Sequence, residues 1–287
     1  MPLPFPPALA AYIEGGGGAL CRLLTITRAD GLVYRWTDLD RSITIGGAQY
    51  RAGIGFNLSN LDHRGDASVS GGDLEALLAP EGVTRAQLLG GVLDGATAEV
   101  SVACYSQPEL GAGVIAYGRI GANDEAVPGQ TRLELRGLGQ ALTRQVVPVL
   151  TPGCSARFAS QPGEEERPCG IDPAAHTVPV SVIAATRDLV TVSGLNPAAL
   201  YTGAVLGFTS GALSGVRAGV RTADNATGAL TLYVPLPEAP AIGDAATLLA
   251  GCDKSIETCR DRYANVARFR GFPFVAGGQI LTRVAGR

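Results

Sequence analysis

Four cysteines, Cys154, Cys169, Cys252 and Cys259, fall in the second half of this chain as two pairs with a long segment between them. Thiolates are soft ligands, so four of them converging from distant segments could hold an iron–sulfur cluster or a zinc ion. Such a site would constrain the fold severely, because the segment between the pairs must begin and end at the same place. The last two cysteines also open a dense cassette, running from Gly251 to Pro273, in which thiols, cations and aromatics crowd together.

Fourteen residues separate Cys154 from Cys169 and six separate Cys252 from Cys259. Neither gap is the short knuckle of common zinc modules, and neither matches a ferredoxin. Spacing alone leaves a metal of either kind and four merely buried thiols all open. The surroundings favour a cluster: a cubane held by four thiolates is a net anion, and Lys254, Arg260, Arg262, Arg268 and Arg270 lie close to the last two thiols in sequence. Cations and backbone N–H groups stabilise such a charge, and the Gly-Phe-Pro-Phe run at 271–274 is expected to form the apolar shell that excludes water. The plainer alternative is an arginine-rich solvated loop ending in a core anchor. Cys21 and Cys104 sit in alternating segments with no second thiol nearby and read as small buried hydrophobes.

Several function classes are disfavoured. With a net charge of −3 and no block of clustered Lys/Arg, the chain lacks the basic stripe of a sequence-independent nucleic-acid binder. A mildly acidic surface would still suit a channel through which DNA slides without sticking. The proline-broken N-terminus does not read as a signal peptide, and no run approaches the roughly 20 apolar residues of a membrane span. The expectation is a protein folded in the bacterial cytoplasm, where thiols stay reduced and clustered cysteines serve metals more often than disulfides. Catalysis finds no support either. There are two histidines, His63 and His176, and no nucleophile elbow, P-loop or zincin helix. The run Glu164–Glu166 beside prolines reads as a solvated turn.

A length of 287 residues accommodates two domains. The expected fold is mainly β with some helix (α+β): a β-rich domain over 1–150, then a four-cysteine domain over 151–287 containing a small β-module at about 177–249. Alternation predicts strands in 23–28, 32–36, 98–102, 131–136, 189–192 and 230–234. Short helices are expected over 5–13, from Asp73 to Leu78, from Thr84 to Leu89 and over 138–145, with Asp73 and Thr84 as N-caps.

The cassette also resembles a known family. Gly251-Cys-Asp-Lys254, Cys259, Arg262-Tyr263, Asn265 and Phe269-Arg-Gly-Phe-Pro273, preceded by Cys169-Gly170 and a strand-rich insert ending in Gly243-Asp244, are similar to the C-terminal domain of baseplate hub proteins of gene transfer agents and related long-tailed phages. The same cysteine domain is similar to that of lambda-type minor tail protein L. Tyr263, Arg268 and Phe274 depart from the residues expected there, while all four cysteines are kept.

The resemblance implies a virion component, not an enzyme, with Cys154, Cys169, Cys252 and Cys259 as ligands of a [4Fe–4S] cluster. It further implies a homotrimer at the tail tip, linking the distal tail protein to the central, fibre-bearing tip protein around a DNA channel and making no sequence-specific DNA contact. The readings left beside it are an iron–sulfur redox protein and a zinc-binding structural protein.

Overall fold

Segments with an apolar residue at every second position become strands in both halves of the chain. The computed structural model describes residues 5–52, 56–58, 71–77, 83–127, 130–137, 150–164, 167–196 and 199–274. Two compact units divide it, Met1–Arg144 and Gln145–Arg287. The architecture is mainly β, with few helices, as the alternation implied.

The first unit opens with helix α1 (Pro7–Glu14), whose proline at the first turn sacrifices no helical hydrogen bond and whose Leu9 is buried. Strands β1 (Leu20–Thr27), β2 (Val33–Thr37), β5 (Phe56–Leu58), β6 (Gly71–Leu77), β7 (Thr97–Cys104), β8 (Ala112–Val127) and β9 (Gln130–Arg136) form one antiparallel sheet in the order β2-β1-β7-β8-β9-β6-β5. A separate hairpin joins β3 (Ile43–Ile45) to β4 (Ala48–Tyr50). Its two loop residues, Gly46 and Gly47, both have positive φ, the backbone that a tight two-residue hairpin needs.

Strand β1 buries both of its faces. Leu24 and Ile26 join a core with Trp36, Leu88, Val100, Leu133 and Leu135, while Cys21 and Leu23 pack on the opposite side with Ile45 and Ala103. Cys21 and Cys104 are 2% and 0% exposed and fill core positions, as expected of small hydrophobes. Burial, with the nearby Asp38 charge second, pushes the Cys21 thiol up to about 11.

Thr84 caps helix α2 (Arg85–Leu89) as expected. The Gln87 N–H donates to Thr84 Oγ1 at 3.2 Å, and the Thr84 N–H donates to Gln87 Oε1 at 3.0 Å, a reciprocal capping box. The helix expected from Asp73 to Leu78 is instead strand β6. It pairs with β9 from Gly71↔Arg136 to Leu77↔Gln130. Two glycines open this segment and weaken a helix, and a seven-residue ladder along β9 overrides the helical spacing of its leucines. The expected 138–145 helix and the loop holding His63 lie outside the described residues.

In the second unit, strands β10 (Thr177–Ala185), β11 (Leu189–Ser193), β12 (Val205–Phe208), β13 (Arg217–Asp224), β14 (Ala229–Leu232) and β15 (Ala245–Leu249) close into an antiparallel barrel in the order β10-β11-β14-β13-β12-β15. Its interior follows from alternation: Val180, Val182, Val190, Val192, Leu206, Phe208, Val220, Leu230, Leu232 and Leu248 are all buried. Register shifts after Val182 in β10 and after Val220 in β13 mark bulges, which bend a strand and increase its twist. Strand β14 ends two residues earlier than expected, leaving Tyr233 and Val234 exposed.

The first and last barrel strands pair with each other, Thr177 opposite Leu249, and the Ala250 N–H continues the ladder to the His176 carbonyl at 2.9 Å. The long segment between the cysteine pairs therefore departs and returns at adjacent positions. No helix among the described residues is long and apolar enough to cross a membrane.

Candidate metal centre

The barrel delivers two of the four thiols and the flanking segments deliver the others. Cys169 lies in the approach to β10. Its N–H donates to Ser160 Oγ at 2.9 Å, and the neighbouring Gly170 N–H donates to Ser160 O at 2.7 Å. Cys252 follows β15, three residues past the pair that closes the barrel. The chain there is packed too closely for any side chain at Gly251: its N–H donates to Leu200 O at 2.6 Å, its carbonyl accepts from the Tyr263 hydroxyl at 2.5 Å, and an added Cβ would stand 2.0 Å from Thr202 O.

Cys259 is carried by the short helix α3 (Ile256–Asp261), capped by Ser255, whose Oγ accepts from the Thr258 N–H at 3.1 Å. Asp253 steadies that cap by accepting from Ser255 N, Ser255 Oγ and Thr258 Oγ1 at 2.8–2.9 Å. Cys154 is fixed between two parts of the cassette. Its N–H donates to Lys254 O at 2.9 Å, while the Ser155 N–H and hydroxyl both donate to Arg270 O.

All four cysteines line one small pocket, together with Lys254, Asn265 and Arg268 and the apolar flanks of Phe158 and Ile171. N–H groups are aimed at three of the sulfurs. The Lys254 backbone donates to Cys252 Sγ at 3.4 Å, the Arg270 backbone to Cys154 Sγ at 3.4 Å, and the Asn265 carboxamide to Cys169 Sγ at 3.6 Å. Burial raises the Cys259 thiol, and the charges of Cys154, Cys169 and Cys252 raise it further, so this sulfur feels the other three. Cys252 is likewise raised, by burial first. Four thiolates in this space would repel one another strongly unless a cation or cationic cluster sat among them.

The donor set fits a thiolate-bound iron–sulfur cluster. Arg270 Nε is a buried donor with no partner among the described residues, in the residue whose backbone already serves Cys154. A single zinc ion would draw on the same four thiols. No three His, Cys, Asp or Glu side chains among the described residues are grouped so as to hold a metal ion. A Zn2+ at 2.3 Å from each ligand would impose a tetrahedron with sulfurs about 3.8 Å apart.

Of the cations singled out in the sequence, Lys254 and Arg268 line the pocket. Lys254 Nζ donates to the Ala156 carbonyl, and Arg268 donates to Gly170 O at 3.3 Å. Arg260 instead pairs with the adjacent Asp261, both of them exposed. The run at 271–274 does not form the apolar shell, since Phe272 is 45% and Phe274 92% exposed. That role falls to Phe158, Ile171 and Tyr263. Phe158 and Tyr263 pack with ring centroids 4.9 Å apart, and His176 meets Tyr263 edge-on at 5.3 Å. Burial, with the Cys252 charge second, pushes the Tyr263 hydroxyl up to about 12, so it stays a donor to Gly251. Nothing in the spacing around Phe158 or Ile171 marked them for this wall, because both come from irregular segments without a period.

Residues 6–171 match the family model described as baseplate hub protein, N-terminal attachment domain, and residues 199–279 match that of phage conserved hypothetical protein BR0599. A chain in a solved structure, described as the virion of a native gene transfer agent (GTA) particle, is similar to this one. It is 26% identical, with 96% of this chain and 94% of that chain covered at a TM-score of 0.78. No curated protein sequence matches the chain.

Proposed function

We propose, from the premise that this chain belongs to the baseplate hub protein family, that it links the distal tail ring to the central, fibre-bearing tip protein of a phage-like particle, as a homotrimer around the DNA channel. The observation that carries this reading is the likeness to a chain of a gene transfer agent virion over nearly the whole length of both. The chain is a structural baseplate component, and its part in the particle is to hold other proteins in place. A net charge of −3 suits a channel wall past which DNA slides.

The proposal extends to the cysteines. Cys154, Cys169, Cys252 and Cys259 would hold a [4Fe–4S] cluster, which supplies a compact cross-link between four segments of the second unit. Its role is that of a staple, since metal-binding free energy becomes folding free energy when the unfolded chain has no site. The chain's own residues prepare the place: Lys254 and Arg270 present backbone N–H groups to two sulfurs, and Phe158, Ile171 and Tyr263 exclude water.

The test is to produce particles without this chain and view their tails by electron microscopy. Tails lacking the tip are expected, and tails with a complete tip would overturn the reading.

A further inference from the structure

Asn265 occupies a singular place in the pocket. Its carboxamide nitrogen donates to both the carbonyl oxygen of Cys169, at 3.0 Å, and the sulfur of the same residue, at 3.6 Å. Its backbone N–H donates to the carbonyl of Cys259 at 2.9 Å. One residue therefore holds two thiols that arrive from opposite ends of the barrel segment, one by its side chain and one by its backbone. The contact to Cys169 also differs in kind from those at Cys252 and Cys154, where the donors are backbone N–H groups that side-chain truncation leaves in place.

We infer that Asn265 is a positioning residue which orients the Cys169 sulfur toward the bound cluster and withdraws electron density from it. The inference rests on the four-thiol reading given above. Three observations support it. The nitrogen lies within hydrogen-bonding reach of sulfur, and the second bond to the Cys169 carbonyl fixes the carboxamide so that an N–H faces that sulfur. Asn265 also lines the pocket itself, alongside the four cysteines. Hydrogen bonds to ligand sulfurs stabilise the more negative, reduced cluster and so raise its potential, and groups that orient ligands typically change metal affinity about 10- to 100-fold when removed.

The experiment compares wild type, Asn265→Asp and Asn265→Leu, each prepared anaerobically as the full chain. Iron content, the rate of iron loss to a chelator and the reduction midpoint are measured on each, with thermal unfolding followed in parallel. Asn265→Asp keeps the shape but removes the donor and adds an anion; Asn265→Leu removes the donor alone. Both are expected to lose iron at least about 10-fold faster than wild type and to show a more negative midpoint, with the larger shift in Asn265→Asp. A merely structural role would alter unfolding without moving the midpoint. A wild-type midpoint and wild-type loss rate in Asn265→Asp would overturn the inference while leaving the four-thiol reading intact. Wild-type protein free of iron would instead remove the cluster reading itself.

Discussion

Replacing Gly251 by alanine tests how the barrel and the cysteine pocket are joined. The new methyl would stand 2.0 Å from the Thr202 carbonyl oxygen and 2.8 Å from Ala204 N, both backbone atoms that cannot rotate away. Restoring ordinary contact requires the two strands of chain to separate by about 1 Å or more, whereas metal–ligand distances hold to about 0.2 Å. Cys252 is the next residue and moves with the shift. Overpacking of this kind costs about 1–3 kcal/mol, which corresponds to a loss of roughly 5- to 150-fold in cluster retention. Iron per chain and iron loss to a chelator read the effect, and thermal unfolding shows whether the barrel persists. Gly219→Ala is the control, since its methyl would meet only the movable Tyr233 ring, at 3.2 Å. Wild-type iron content and loss rate in Gly251→Ala would refute the coupling.

Three further outcomes are expected. Leu248→Ala empties a fully buried position inside the barrel and should lower stability by about 2–5 kcal/mol in denaturant titration. Substituting Cys154, Cys169, Cys252 or Cys259 by serine should abolish iron loading, while Cys21→Ala and Cys104→Ala should load fully; iron analysis separates the two groups. For Asp253, burial raises the carboxyl but the hydrogen bonds from Ser255 and Thr258 outweigh it, leaving its ionisation shifted to lower pH. A depressed folded value stabilises above the unfolded carboxylate range, near pH 4, and is lost as pH falls through the folded one. The thermal stability of wild type should therefore exceed that of Asp253→Asn at neutral pH, with the difference shrinking below about pH 4.

Much of the fold was legible because burial follows a period. The barrel strands alternate almost without fault, as in Leu230 and Leu232 or Ala246 and Leu248, and the Thr84 cap was visible from residue type alone. Strand β6 was misread because its pairing partner, β9, lies far along the chain, and no local pattern announces a ladder made at that distance. In the pocket, the thiols and Lys254 could be named from sequence, but the wall could not. Phe158 reaches Tyr263 from an irregular segment, and the Phe272 and Phe274 chosen by proximity in sequence point outward.

The sequence also suggested that a cluster would close a very long loop. Counted along the chain, Cys169 and Cys252 are about 80 residues apart, but counted across the Thr177–Leu249 pair only about 11, which makes the closure entropy smaller by about 2 kcal/mol. The barrel brings those two arms together, so a staple at the pocket acts chiefly on Cys154, Cys259 and the loops that carry them.

The most direct test of the [4Fe–4S] assignment is the iron, zinc and acid-labile sulfide content of full-length protein purified without oxygen, together with its visible spectrum. A brown protein carrying iron and sulfide in equal amounts, about four of each per chain, is expected for a [4Fe–4S] centre, and both should vanish in Cys252→Ser. A colourless wild-type preparation with one zinc per chain, or with no metal, would contradict it.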